Sequence, residues 1–484
     1  MDRYLDRNQN KNLLFLKMKN KKFIKEFVKN KYLINNVEYN NLQKEAIATD
    51  ELNTLVIAGA GTGKTMTIVG KIDYLINNLG VKENEILCLS FTNDSVKSLK
   101  EKIDYNVDIF TFHKLAIEII RDYNIFFNIC SSDYLEYIVN EIFISICKTD
   151  NKIIKDFINK ICSFINLYKV HELDNIDYLI KKNKDKLLKV IKLIMNLYSD
   201  ELISQNMYDF NDLISYACEL IKQRGLKRYY RYIIIDEYQD ISKSRYELIK
   251  LIKESCFSKI FAVGDDFQSI YKFSGSNIEM IINFKKYFGY TRVIKLLETY
   301  RNSNELIKVA TKFITRNKYQ IKKKLFSKKT IIKPVKIIYY KKNQCIKLKK
   351  ILDDKKYLIL VRNTFDINSI IDKEIIKEDN YIIYKDRSYR FMTVHKSKGL
   401  EEDNVIIINL NNSYLGFPNK IENDINKLII KKEKYLYEEE RRLFYVALTR
   451  TRNYVYLLVD YDNPSVFVKE LLRRSKNDVE VIKI

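Results

Sequence analysis

The sequence predicts an α/β fold of two domains with parallel sheets, the first carrying a helical insertion, and three observations predict it. Short β-branched runs bounded by polar or Gly residues alternate with longer stretches of helical periodicity, the pattern of strands joined by crossover helices. These runs fall into two sets, separated by the Lys-rich stretch Lys318–Lys333, which reads as a connector or a solvated helix face. From Leu115 to Ser204 the spacing is almost purely helical, with apolar residues interleaved among Lys, Asn and Asp.

Taken in order, residues 1–39 read as a helical extension, and residues 40–114 with 205–298 as the first α/β domain. Its strands are expected at Thr54–Ala58, Ile86–Phe91, Tyr232–Asp236, Ile260–Gly264 and Ile294–Leu297. Residues 115–204 form the insertion. Residues 299–484 form the second domain, with strands at Val335–Tyr340, Tyr357–Val361, Phe391–Val394, Val405–Asn409 and Tyr454–Val459. A chain of 484 residues, 46% hydrophobic, supplies material for two or three cores.

The formal charge of +24 points to a polyanionic partner such as nucleic acid, although a general bias toward Lys, Asn, Ile and Tyr supplies part of it. Seven scattered cysteines, without a C-x-x-C pair, suggest small buried hydrophobes instead of a disulfide framework or zinc site. No leader or membrane-spanning run is read, so the expectation is a cytoplasmic protein with no membrane contact.

After the strand ending at Ala58 comes Gly59-Ala60-Gly61-Thr62-Gly63-Lys64-Thr65, then an amphipathic helix beginning near Met66. Strand, Gly-rich turn and helix make a P-loop, because glycines let successive backbone N–H groups face a phosphate while the helix N-terminus adds positive potential. Three of only 11 glycines fall here, which argues for a backbone requirement. Lys64 is suited to the β- and γ-phosphates of ATP, and Thr65 to Mg²⁺. Ala58 stands where the formal motif begins with Gly.

The apolar run Tyr232–Ile235 leads into Asp236-Glu237-Tyr238-Gln239-Asp240, two acids at the carboxyl end of a strand. Asp236 suits a Mg²⁺ contact and Glu237 a base that orients the attacking water.

This phrase, with Val263-Gly264-Asp265-Asp266-Phe267-Gln268-Ser269-Ile270-Tyr271 after it, resembles motifs II and III of UvrD/Rep-type superfamily 1 helicases. Further matches follow in order. Leu42-Gln43 resembles the Q motif, Leu89-Ser90-Phe91-Thr92-Asn93 motif Ia and Thr111-Phe112-His113 motif Ib. Thr299-Tyr300-Arg301-Asn302-Ser303 resembles motif IV, Phe391 through Glu401 motif V, and Glu439 through Arg450 motif VI. Phe273–Ser276 and Gly416–Pro418 resemble the helicase IV branch.

The resemblance implies two RecA-like domains and an ATP-driven motor that moves 3′-to-5′ on single-stranded DNA and unwinds tailed duplexes, in repair or recombination. It places Gln43, Tyr300 and Glu401 with Ala58–Thr65 at the nucleotide. Gln268 would sense the γ-phosphate, and Arg301 and Arg450 would act as arginine fingers from the second domain. Phe91, Thr92, Asn93, Phe112, His113, Tyr271, Phe273, Thr393 and His395 would meet DNA, with Phe91, Tyr271 and Phe273 as stacking platforms. His171, in the insertion, reads as a surface residue.

Three departures from the family pattern stand out. The stretch between Arg301 and Phe391 has room for the second domain's own strands and little more, so the family's 2B insertion is expected to be absent or vestigial. Ser274 stands where many relatives have Arg, with Lys272 as a substitute upstream, and Arg245 replaces a common Gln. A translocase that remodels protein–DNA complexes or serves a nuclease or repair partner, for example in phage defence, is the alternative function, as a monomer or weak oligomer. A non-enzymatic DNA scaffold is the third reading, and intact Lys64, Glu237, Arg301 and Arg450 argue against it.

Overall fold

The computed structural model describes residues 23–34, 37–147, 152–171, 176–341, 343–421, 424–429 and 433–482. Most of the expected extension over 1–39 lies outside them; residues 23–29 are helical, and Leu33–Ile34 pairs antiparallel with Val37–Glu38. The chain divides into two compact units, one of residues 1–58, 63–264 and 277–296, the other of 59–62, 265–276 and 297–484. The boundary expected at 298 therefore falls at 296, and two segments expected in the first domain, 59–62 and 265–276, pack into the second unit.

In the first unit, strands β1 (Asn53–Ala58), β2 (Ile86–Ser90), β3 (Asp108–Thr111), β4 (Tyr232–Ile235), β5 (Lys259–Gly264) and β6 (Arg292–Leu296) form one sheet in the order β6-β1-β5-β4-β2-β3. Every pairing is parallel. Such a sheet is covered on both faces, which is why its strands read as unbroken apolar runs. Val56, Ala58, Cys88, Ile234 and Val263 point to the face packed by Ile68, Ile72 and Leu75 of the helix α2 (Lys64–Asn77), while Leu55, Ile57, Leu87 and Ile233 are buried on the other.

The insertion holds helices Tyr134–Cys147, Lys152–His171, Ile176–Asn183 and Lys186–Ser204, with a short parallel strand pair, Asn128–Ile129 and Met207–Tyr208, at its base. Lys169 ties it to the chain's return, its Nζ 2.7 Å from Asp209 and 2.8 Å from Asp212.

Among the described residues the second unit has eight strands: β7 (Val335–Tyr340), β8 (Tyr357–Val361), β9 (Ile376–Glu378), β10 (Tyr381–Tyr384), β11 (Arg387–Thr393), β12 (Glu402–Leu410), β13 (Thr451–Asp460) and β14 (Val479–Ile482). Their order is β9-β10-β11-β8-β12-β13-β7-β14, parallel except for the antiparallel edge β9-β10-β11. Alternation along each strand separates two cores. Leu358, Leu360, Val405 and Ile407 pack with helices Asn304–Ile314, Glu438–Leu448 and Val466–Arg474, whereas Ile359, Val361, Ile406 and Ile408 pack with Cys345, Leu348 and Ile367. The described residues from Arg301 to Phe391 form helices, strands and turns of this unit.

Candidate functional site

The phosphate loop leaves β1 at Ala58 and enters α2 through Gly63, whose φ of +81° is a left-handed conformation that Gly adopts without steric cost. A Cβ at Gly63 would lie 2.5 Å from Gln43 Nε2, so the glycine also makes room for the Q-motif side chain. Gln43 is itself fixed. It closes a capping box with Asn40 at the start of helix α1 (Asn41–Ala48), its Oε1 accepting from the Asn40 N–H at 2.9 Å. Lys64 Nζ stands 3.1 Å from Glu237 Oε1. Glu237 follows directly on β4 with φ +49°, a strained conformation for a non-glycine residue, and also accepts from Gln239 Nε2. Asp236 is buried, its Oδ1 accepting from the Glu237 N–H at 2.8 Å. Asn40, Gln43, Gly63, Lys64, Asp236, Glu237 and Gln239 belong to the first unit, whereas the loop tip, residues 59–62, belongs to the second.

The second unit gathers the other half of the predicted chemistry. Thr299 Oγ1 donates to the Ala60 carbonyl at 2.7 Å, and the Tyr300 N–H to the Gly61 carbonyl at 2.9 Å. A Cβ at Gly61, where φ is +69°, would lie 2.5 Å from Arg301 Cβ. Arg301 pairs with Glu401, whose other oxygen takes Arg452 Nη2 at 2.8 Å. Tyr300 is 55% exposed. Gln268 is almost fully buried: its Nε2 donates to Asp265 Oδ2 at 2.6 Å and its Oε1 accepts from Arg450 Nη2 at 3.1 Å. Arg450 is equally buried, donating also to the carbonyls of Leu400 and Val446.

The residues expected to meet DNA divide into two groups. Thr92 and Asn93 are exposed at the start of helix Asn93–Lys100, which Thr92 caps, and half-buried Phe91 lies over Phe112 at 5.2 Å and Arg245 at 5.0 Å. Phe273 is 54% exposed, edge-on to His395 at 5.4 Å, and Tyr271 donates its hydroxyl to the His395 carbonyl at 3.2 Å. Thr393, half-buried at the end of β11, accepts the Lys396 N–H. Phe112 does not fit its expected part. At 2% exposure it is a core ring under Phe91, because the helix that it opens turns it inward.

The three histidines are half-buried. Burial, aided by Arg245, holds His113 down to about 4, and burial, aided by Arg362 and Lys398, does the same to His395. Both are therefore neutral at physiological pH. His171 is half-buried, its pKa also lowered by burial.

Sequence comparison decides the family. Residues 39–289 match the UvrD/REP helicase N-terminal domain, more than half the chain, and residues 347–460 match the UvrD-like helicase C-terminal domain. The chain belongs to the UvrD/Rep family of superfamily 1 DNA helicases. It is 28% identical to DNA helicase IV of Escherichia coli (strain K12), over 89% of this chain and 70% of that protein. It is 30% identical to ATP-dependent DNA helicase Rep of Buchnera aphidicola subsp. Schizaphis graminum (strain Sg), over 70% and 55%, and 33% identical to DNA helicase II of Rickettsia typhi, over 62% and 48%. This chain thus spans about half the length of the Rep and helicase II relatives. ATP-dependent DNA helicase is the enzyme class of the family, and its two RecA-like domains correspond to the two sheets.

Within this UvrD-like frame, some residues escape sequence reading. Lys398 Nζ donates to the Gln268 carbonyl at 2.9 Å and Arg442 Nε to the Ser269 carbonyl at 2.5 Å, so motifs V and VI hold motif III through its backbone. Their motif membership was a signal for both. Lys323 gave none: it lies in the lysine-rich stretch, which is neither helix nor uniformly solvated, and is completely buried against Asp265 and Asp266.

Proposed function

We propose that this helicase hydrolyses ATP to move 3′-to-5′ along single-stranded DNA and to separate tailed duplexes, with repair or recombination as its setting. What carries the reading is the grouping of Gln268, Arg301, Arg450 and the loop tip Gly59–Thr62 in one compact unit, joined by the hydrogen bonds described above. A loop tip strapped to the segment bearing Arg301 gives that segment a reason to respond to nucleotide.

The residues present fit a Mg²⁺-nucleotide, since Gly61 and Gly63 stand where any side chain would clash and Lys64 sits beside a carboxylate. When bound, Mg²⁺ neutralises charge on the β- and γ-phosphates of ATP, whose anhydride is the fuel. Lys64 and the backbone of Gly59–Gly63 would hold phosphate oxygens, Thr65 and Asp236 the metal, and Gln43 and Tyr300 the base. Glu237 takes the proton of the attacking water. Arg301, turned from Glu401, and Arg450, steadied by Gln268, would stabilise charge at the γ-phosphate. Phe91, Phe273 and Tyr271 offer ring faces to successive bases, and stacking of this kind is worth roughly 1–3 kcal/mol per base without sequence preference.

Displacement of a labelled strand from 3′-tailed and 5′-tailed duplexes tests the proposal: displacement only from the 3′-tailed form is expected, and preference for a 5′ tail refutes the polarity. The short stretch between Arg301 and Phe391 favours a second reading, a translocase working with a nuclease or repair partner. Strand-stimulated hydrolysis without displacement would select it. Among the described residues no helix is long and apolar enough to cross a membrane, and a cytoplasmic setting accords with that.

A further inference from the structure

Three lysines run in sequence at Lys322–Lys324, and only the middle one is buried. Lys322 and Lys324 are exposed, whereas Lys323 has no exposed side-chain surface. Its ammonium pairs with both Asp265 and Asp266, equally buried, and lies 3.6 Å from the centroid of the Phe267 ring. Burial alone pulls an ammonium toward the neutral form, but attraction to the two carboxylates outweighs it and leaves the Lys323 pKa raised.

Asp265 continues the chain of contacts. One oxygen faces Lys323 and the other accepts from Gln268 Nε2, while Gln268 Oε1 accepts from Arg450. An amide can sit in its pocket in two orientations of nearly equal shape. Here a carboxylate at one end and a guanidinium at the other decide between them, since reversal would set NH₂ against Arg450 and oxygen against Asp265. That choice requires Asp265 to remain an acceptor. Without a cation, two adjacent buried carboxylates cannot both stay ionised, and one takes up a proton or moves.

We propose that Lys323 is a positioning residue for hydrolysis: its ammonium keeps Asp265 an anionic acceptor, and Asp265 in turn sets the Gln268 amide with its oxygen toward Arg450. The inference rests on the proposed role of Gln268 and Arg450 at the γ-phosphate.

Strand-stimulated ATPase kinetics of the full chain test it, comparing Lys323→Met, Gln268→Ala, the double variant and Lys324→Met, which removes an exposed charge from the same run. Lys323→Met is expected to lower kcat by about tenfold or more with KM for ATP within about twofold, and Gln268→Ala to add nothing to it. Lys324→Met should retain kcat. Full kcat in Lys323→Met, or losses that multiply in the double variant, would overturn the proposal. Should Lys323→Met not fold, Asp265→Asn keeps the Lys323–Asp266 pair and is expected to show the same loss. A crystal structure of either variant separates this inference from the ATPase reading. Gln268 displaced from Arg450 supports the positioning role even if the wild type hydrolyses nothing; Gln268 unmoved overturns it.

Discussion

Glu237 is held in a left-handed backbone conformation beside Lys64 and under Gln239, an arrangement that fixes where its carboxylate points. Glu237→Gln keeps the shape and an acceptor for Gln239 but not the base. It should bind ATP and DNA normally and lose hydrolysis by about 10²–10⁴-fold, measured by turnover beside nucleotide binding. His113 and His395 titrate near 4 when folded against an ordinary value of 6.5. Between these values the unfolded chain binds more protons, so the stability they allow is full above pH 6.5 and falls as pH drops toward 4. Each should cost on the order of 1–2 kcal/mol at pH 5, and chemical denaturation at pH 7 and pH 5 should show a smaller difference in His395→Gln than in the wild type. Residues governed by backbone demands, such as Gly61 and Gly63, were legible in the sequence because few residue types satisfy the same turn. Lys323 was not, since a lysine among lysines carries no mark of burial.

At the scale of elements, the loop Gly59–Thr65 depends on two glycines for different reasons. Gly63 opens α2, while Gly61 admits the backbone of the segment Thr299–Arg301, whose Arg301 N would stand 3.2 Å from an added Cβ. Gly61→Ala therefore meets a strained φ, costing roughly 1–2 kcal/mol, and a clash with Arg301. A lower melting temperature and weakened ATP binding by titration are expected; unchanged ATP affinity would contradict the strap. Ten strands were readable from apolar runs, because a parallel sheet buried on both faces demands them. Asp108–Thr111, Ile376–Glu378, Tyr381–Tyr384 and Val479–Ile482 were not. Ile376–Glu378 is exposed throughout, Asp108–Thr111 and Val479–Ile482 each carry an acid, and Tyr381–Tyr384, though apolar, is only four residues long between polar and charged neighbours. The segment Asp265–Ser276 reads as the end of the first domain by chain order, yet its bonds to Lys323, Lys398, Arg442 and Arg450 place it in the second unit.

For the whole molecule, if a chain of net charge +24 holds DNA by its phosphates, its affinity should fall steeply with salt. Single-strand binding is expected to weaken about tenfold or more between ~50 and ~200 mM salt, by titration of a labelled oligonucleotide, and a flat response would remove the case for phosphate contacts. Family and fold were legible at this scale because the motifs recur in order along both domains, while the unit to which the loop tip belongs depends on tertiary hydrogen bonds that no local pattern encodes. The most direct measurement of the motor is the rate of ATP hydrolysis with and without single-stranded DNA, for the wild type beside Lys64→Ala. DNA should raise the wild-type rate about tenfold or more and leave Lys64→Ala at background. A wild-type rate indifferent to DNA, or turnover that survives in Lys64→Ala, would contradict it.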